Sequence, residues 1–456
     1  MTFISKPAPK LIKKFNTPEI VRGSWYTIWA VSGLLLISSI YAVNSQRQAI
    51  ETVGKDTAPS VLTAQQLQDS FADLDASLAN ELLLKPGDNR RALVQFEINR
   101  KKIADRLVAA AKNIVYPGEE KIVQSLQLHN SAYLLKLQEA RDAHKRGDRL
   151  GVLSIYQSAA NLIDREIIPQ AAQLSLLNSQ ELEKSYISQS GINNGISFII
   201  ITLGLLQVAV LVFLQIFLYL RMRRMLNLPL VGATAIAIVF LAYTISSFTS
   251  ASSNLKVAKA DAFDSLRALR QMRSLSYQAN ADESRYLLDR ANADRHERSF
   301  DDNINQILTI PANRSRDSIV VNTTQGKSTP GIGGLFAKAL NNITFAGEKE
   351  LAIDTFKLFN DYLTIDKQIR QLARNGKIAE AIALGIGNNP GESNWAFDRY
   401  KNKHTELMEL NKQEFEKNIE IGTARLANFE VIATVSLGSI AILTLFGVRP
   451  RLMEYL

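Results

Sequence analysis

The sequence predicts an all-α membrane protein with four transmembrane helices and two extracytoplasmic four-helix-bundle-like domains related by internal duplication. Three observations carry that prediction. Four long runs contain no charged residue, positive charge gathers beside one end of each run, and the two halves of the 456-residue chain align with each other.

The charge-free runs are Trp25 to Val43, Ile196 to Leu220, Leu228 to Phe248 and Val431 to Val448. Each is long enough to cross a hydrocarbon core of about 30 Å as a helix. The basic residues are Lys6, Lys10, Lys13, Lys14 and Arg22 before the first run, Arg221, Arg223 and Arg224 between the second and third, and Arg449 and Arg451 after the fourth. With Glu19 and Glu454, which lie in the same segments, they leave +8 of the net charge of +9. Positive residues are retained in the cytoplasm, so both termini and the short loop are expected inside the plasma membrane and the two large segments outside. The excess charge then reports topology and contact with membrane lipid, and it argues against nucleic acid as a partner. An uncleaved anchor is expected for the first run, because it is long for a signal peptide and no small-x-small cleavage site follows it.

Taken in order, the expected pieces are a cytoplasmic basic tail (1–22), a first span (23–44), a first helical bundle (45–190), a second span (191–220) and a cytoplasmic loop (221–227). A third span (228–249), a second bundle (250–429), a fourth span (430–448) and a short cytoplasmic tail (449–456) complete the chain.

In the first bundle Leu67, Phe71, Leu74 and Leu78 recur at helical spacing. Breaks fall at Lys85-Pro86-Gly87, Tyr116-Pro117-Gly118 and Arg146-Gly147-Asp148, where Gly supplies a left-handed turn and Pro prevents continuation. Three breaks make four helices, an even number, which returns the chain to the membrane. His129 is in phase with Ile122, Leu126 and Tyr133 and reads as a seam residue, and Pro169 is expected to bend the fourth helix.

The second bundle repeats this plan. Asp56 and Ser60 match Asp261 and Ser265 at an offset of 205, whereas Tyr133-Leu134 and Gly147 match Tyr362-Leu363 and Gly376 at 229. The jump predicts an insertion, visible at 309–334 as a stretch rich in Pro, Gly, Asn, Ser and Thr. Within it Ser318 to Val321 has a short β-like pattern, and the loop reads either as an ordered recognition element or as a flexible one.

Several chemistries find no support. There is no cysteine, the four histidines form no helical pair for a metal, and no phosphate-binding loop or nucleophile motif occurs. The inner pieces are far below the roughly 40 residues at which domains begin to fold unaided, so no catalytic residue, cofactor or metal site is expected and the chain reads as a non-enzyme. The four charge-free runs are unlike an ion pathway; Gln207 and Gln215 read as hydrogen-bonding links between helices.

One stretch is unusual. In "SYQANADESRYLLD" the seam set by Ala262, Leu266 and Leu269 continues through Arg273, Ser276, Asn280 and Glu283 before Leu287 restores it. A core-facing stripe should not turn polar without partners to satisfy it. Either a stutter turns Met272, Ala279 and Tyr286 inward and leaves Asp282 and Arg285 as a surface pair, or the polar residues form a seam or docking face.

That stretch, the closing "GVRPRLMEYL" and the duplicated four-span layout resemble the GlnX family of actinobacterial membrane proteins. The resemblance implies a signal relay between a periplasmic or extracellular amino-acid-binding protein (a glutamate- or glutamine-binding lipoprotein) and a cytoplasmic Ser/Thr protein kinase. It places outer partner binding on Asn280, Asp282, Glu283, Arg285 and Tyr286. Inner partner binding falls on Arg221, Arg223, Arg224, Arg449 and Arg451, residues that also serve simply to fix topology. Two other readings stay open: a chemoreceptor-like sensor that binds a small molecule between helices, and a structural scaffold of the envelope.

Overall fold

The computed structural model describes residues 17–222, 227–311, 315, 318–319, 321–322 and 331–453. Among these residues the regular elements are helical, and the one extended feature is an isolated antiparallel bridge between Thr309 and Gly333. The first half contains α1 (Thr17–Glu51), α2 (Ala58–Leu82), α3 (Arg90–Lys112), α4 (Glu119–Lys145), α5 (Arg149–Leu162) and α6 (Ile168–Met222). The second contains α7 (Leu228–Lys256), α8 (Asp264–Leu288), α9 (Ala293–Ile307), α10 (Gly334–Asn341), α11 (Glu348–Arg374), α12 (Ile378–Ile386), α13 (Ser393–Arg425) and α14 (Phe429–Met453). Four helical stretches are long and apolar enough to cross a membrane, in the places the charge-free runs predict, so this is an all-α membrane protein.

The chain divides into two compact units, one built from segments 1–51, 185–255 and 419–456 and the other from 52–184 and 256–418. In the span unit, polar links join helix to helix. Gln207 Nε2 donates to Ser32 Oγ (2.7 Å), Gln215 Nε2 to Thr234 Oγ1 (2.5 Å), and Asn227 Nδ2 to the Gly447 carbonyl (2.8 Å). Gln207 and Gln215 thus bridge helices, as their spacing predicts. With lipid as apolar as the side chains, such hydrogen bonds and close packing replace the hydrophobic effect as the glue. Phe429 adds ring contacts to Tyr243 and Phe248, and Arg47 forms a bidentate ion pair with Glu430.

In the bundle unit the two large segments are not separate bundles. Each half keeps its own apolar core, around Leu67, Phe71, Leu74 and Leu78 in the first and around Phe356, Phe359, Tyr362 and Phe397 in the second. Helices α2 and α8 pack together and are buried on nearly every side.

The halves repeat their local devices. Helices α2 and α8 have 25 residues each, and α4 and α11 have 27 each. Gly118 (φ +96°) and Gly347 (φ +82°) adopt the left-handed conformation before α4 and α11, as only Gly does at low cost. The next residue closes each turn. Glu119 accepts from the Val115 and Tyr116 amides (2.7 and 2.8 Å), and Glu348 from the Thr344 and Phe345 amides (2.9 and 3.2 Å). Asn113 Nδ2 donates to the Asp56 carbonyl and Ser60 Oγ, and Asn342 Nδ2 likewise to the Asp261 carbonyl and Ser265 Oγ.

The insertion interrupts one helix. Where α3 has 23 residues, the second half has α9 and α10 with 15 and 8. Thr309 and Gly333 exchange two backbone hydrogen bonds (3.1 and 2.9 Å) and pin the ends of the inserted segment together. Of the β-like run, residues 318, 319 and 321 are helical, with the Ile319 amide bonded to the Ser315 carbonyl; alternation over four residues is too short to outweigh a local helical turn.

Three π-helical turns had no signal in the sequence: Thr52–Thr57, Ile163–Ile167 and Val257–Phe263. The second of them ends at Ile167, two residues before Pro169. His129 is half-buried and bonds Gln170 Oε1 (3.1 Å), in keeping with a seam role.

Candidate functional site

The α2–α8 contact is polar where a bundle core is normally apolar. Helix α2 contributes Gln65, Gln68, Asp69, Asp75, Asn80 and Glu81, all buried; α8 contributes Ser274, Ser276, Asn280, Asp282, Glu283, Ser284 and Arg285, also buried. Both alternative registers of α8 are inside at once: Met272, Ala279 and Tyr286 are buried, and so are Ser276, Asn280 and Glu283. The solvated face expected as one alternative does not exist. Burial on all sides then requires internal partners for every charge.

Arg285 is the hub. Its guanidinium reaches Asp75 (2.8 Å), Asp164 (3.1 Å) and Asp282 (3.2 Å), so it ties α2 and the π-helical turn of the first half to its own helix. Asp75 is completed by the Tyr133 hydroxyl (2.8 Å) and the Tyr156 hydroxyl (3.2 Å). Burial opposes the charge on Arg285, but Asp75 and Asp164 outweigh it and hold the group well above the ordinary guanidinium range. Asp282 also accepts from Ser299 Oγ (2.7 Å) and Asn303 Nδ2 (3.2 Å). Burial pushes it up to about 6 against the opposing pull of Arg285.

Glu283 faces the second half's core. Ser393 Oγ donates to it (2.7 Å), and burial together with the nearby Asp366 carboxylate pushes it up to about 8. Asp366 pairs with Arg370 (2.8 Å), whose guanidinium lies over the rings of Phe300 (4.4 Å) and Tyr286 (4.7 Å). With the guanidinium engaged by Asp366, its pull on Glu283 is weaker than burial and the Asp366 charge, which favours a proton on Glu283 near neutrality.

The five residues expected to meet an outer partner are therefore placed otherwise. Asn280, Asp282, Glu283, Arg285 and Tyr286 are between 2% and 5% exposed and point into the seam and the second core. Their density reflects internal pairing, across the halves through Arg285 and within the second half for Asp282 and Glu283, not a surface. Asp75, Asp164, Asp366 and Arg370 were missed as their partners. A signal existed: Asp75 lies beside Leu74 of the apolar stripe and four residues after Phe71, and Tyr362, Asp366 and Arg370 recur at spacings of four. Of the inner residues, Arg221 Nε donates to Thr17 Oγ1 (3.1 Å) and Arg449 and Arg451 lie in the last turns of α14, while Arg223 and Arg224 lie outside the described residues.

A cleft of about 550 Å³ opens beside the seam, between α2, α6, α8 and α10. Its wall carries Gln65, Gln68, Ser175, Ser179, Asp264, Ser265, Arg267, Gln271, Lys338 and Asn342. Among the described residues no cluster of three or more His, Asp or Glu has the geometry to hold a metal ion.

Four spans and a helical unit with a charged seam define a polytopic all-helical membrane protein. Residues 49–187, the first half of the helical unit, match the family model described as "Actinobacterial sensor domain", and this points to a bacterial sensor protein. No match was found among curated proteins or among solved structures.

Proposed function

We propose that the protein is a non-enzymatic transmembrane signal relay that couples an extracytoplasmic amino-acid-binding partner to a cytoplasmic Ser/Thr protein kinase. The observation that carries the reading is the Arg285 hub, because one buried side chain of the second half is held by carboxylates of the first (2.8 and 3.1 Å). Packed seams of this kind have discrete alternative arrangements, so a change imposed on one half is passed to the other. The sensor-domain match supports a sensing role, and the resemblance to the GlnX family supplies the partners. Recurrence of the Glu119 and Asn113 devices at Glu348 and Asn342 supports descent of the halves from one ancestral unit. In this reading both termini are cytoplasmic, and Arg221, Arg223, Arg224, Arg449 and Arg451 present the inner docking surface. Asn280, Asp282, Glu283, Arg285 and Tyr286 transmit the signal internally, and an outer partner binds elsewhere on the bundles.

The test is co-purification of the full-length protein from native membranes. An amino-acid-binding protein and a Ser/Thr kinase are expected in the eluate, with kinase recovery changing when the binding protein is loaded with its amino acid. Arg285→Gln should retain both partners and abolish that change. Absence of both partners, or a change that survives Arg285→Gln, contradicts the relay.

A further inference from the structure

The cleft between α2, α6, α8 and α10 is not a requirement of the fold. Ser60 and Ser265, which make the same bond in the two halves, stand 205 residues apart, as do Gln65 and Arg270 and also Gln68 and Arg273. Glu119 and Glu348 stand 229 apart, as do Ser175 and His404 and also Ser179 and Met408. The residues that line the cleft therefore have counterparts that are larger at each of these four positions. There the space is filled. Arg273 reaches Thr405 Oγ1 (2.7 Å) and the Tyr277 hydroxyl (3.3 Å), and His404 and Met408 are buried. Small serines on α6 and the amides of Gln65 and Gln68 on α2 leave room for the cleft.

Its chemistry selects a class of occupant. The volume lies in the range of small-molecule sites. Arg267 and Lys338 offer positive charge, and the one carboxylate of the wall, Asp264, is bonded by Lys259 (3.2 Å) and lies 3.9 Å from Arg267. The amides and hydroxyls supply both donors and acceptors. Gln65 is 5% exposed, and its Nε2 donates to the Arg267 carbonyl (3.2 Å), which holds its side chain in the wall beside Arg267.

We infer that this cleft binds a small hydrophilic carboxylate carrying an additional hydroxyl or amino donor, with the carboxylate toward Arg267 and Lys338 and the donor toward the amides and hydroxyls of the α2 and α6 wall. The site lies within the bundle unit and does not rest on the relay reading: binding here requires neither partner, and loss of the partners leaves it unaffected.

Thermal unfolding and titration calorimetry on the full-length protein in nanodiscs test it, with lactate, malate, serine, glutamine and inorganic phosphate as probes. A ligand that binds only the folded form raises its melting temperature. At least one of the four carboxylates should give saturable stabilisation that phosphate does not. Arg267→Gln should weaken that binding about tenfold, the loss of about 1.4 kcal/mol. The double variant Ser175→His with Ser179→Met imports the residues that fill the corresponding space in the other half, and it should fold and bind none of them. The proposal is overturned if no carboxylate stabilises the protein, if phosphate does so equally, or if binding survives unchanged in a folded double variant. Should that double variant fail to fold, undiminished binding by Arg267→Gln and Gln65→Leu overturns it instead.

Discussion

Helices α2 and α8 occupy corresponding places in the two halves and have the same length, yet their charges are opposite. Helix α2 carries Asp69, Asp73, Asp75 and Glu81 and no cation, whereas α8 carries Arg267, Arg270, Arg273 and Arg285 among its charged residues. The pairs Asp75 with Arg285 (2.8 Å) and Asp69 with Arg270 and Arg273 (3.7 and 3.9 Å) follow from that asymmetry. Two like copies would repel at such a seam. Divergence into an acidic and a basic helix lets the halves pair with each other and disfavours pairing with themselves, which is specificity obtained through repulsion as well as attraction.

The largest effect should come from removing the hub. Arg285→Met leaves Asp75 and Asp282 buried without their cation, and breaking a buried pair in this way costs about 3–5 kcal/mol. Chemical unfolding of the full-length protein in detergent micelles would measure it. A loss under about 1 kcal/mol would show that the seam tolerates unpaired carboxylates.

The second half carries a pH dependence that the first does not share at the matching position, where Leu78 stands in place of Glu283. Burial raises the Glu283 carboxyl from 4.5 to about 8 in the folded protein. A raised folded value means the folded state binds the proton more tightly, so this contribution is complete below pH 4.5 and is lost as pH rises through about 8. The melting temperature should accordingly fall between about pH 5 and 8, with a component that Glu283→Gln removes. An unchanged slope in the variant would assign the dependence to other groups, Asp282 and Asp366 first.

The smallest effects sharpen the similarity of the halves. Glu119→Ala and Glu348→Ala each remove a carboxylate that accepts two backbone amides, and each should cost about 1 kcal/mol, equal within a few tenths. Unequal costs would mean that the two turns differ in the unfolded chain or in their surroundings.

Much of this architecture was legible in the sequence. The four spans needed only the absence of charge, and Gly87, Gly118, Gly147 and Gly376 all take a positive φ in the turns between helices, as their place beside Pro, Asn or Asp suggested. The seam was legible as an anomaly and not as a structure. Its strongest pair joins residues 210 positions apart, and no local periodicity reports a partner at that distance. An (i, i+3) pair such as Asp282 with Arg285 looks the same on a surface as in a core. The π-helical turns left no trace either, since they depend on packing around the helix and not on the composition of one stretch.

The central claim is that the buried Arg285 hub, above all its pair with Asp75, locks the two halves together. A double-mutant cycle on Asp75→Asn and Arg285→Gln, read by unfolding of the full-length protein, tests it most directly. A coupling of about 2 kcal/mol between the two sites is the expected result. Additivity within about 0.5 kcal/mol would contradict it and leave the seam as packing without communication.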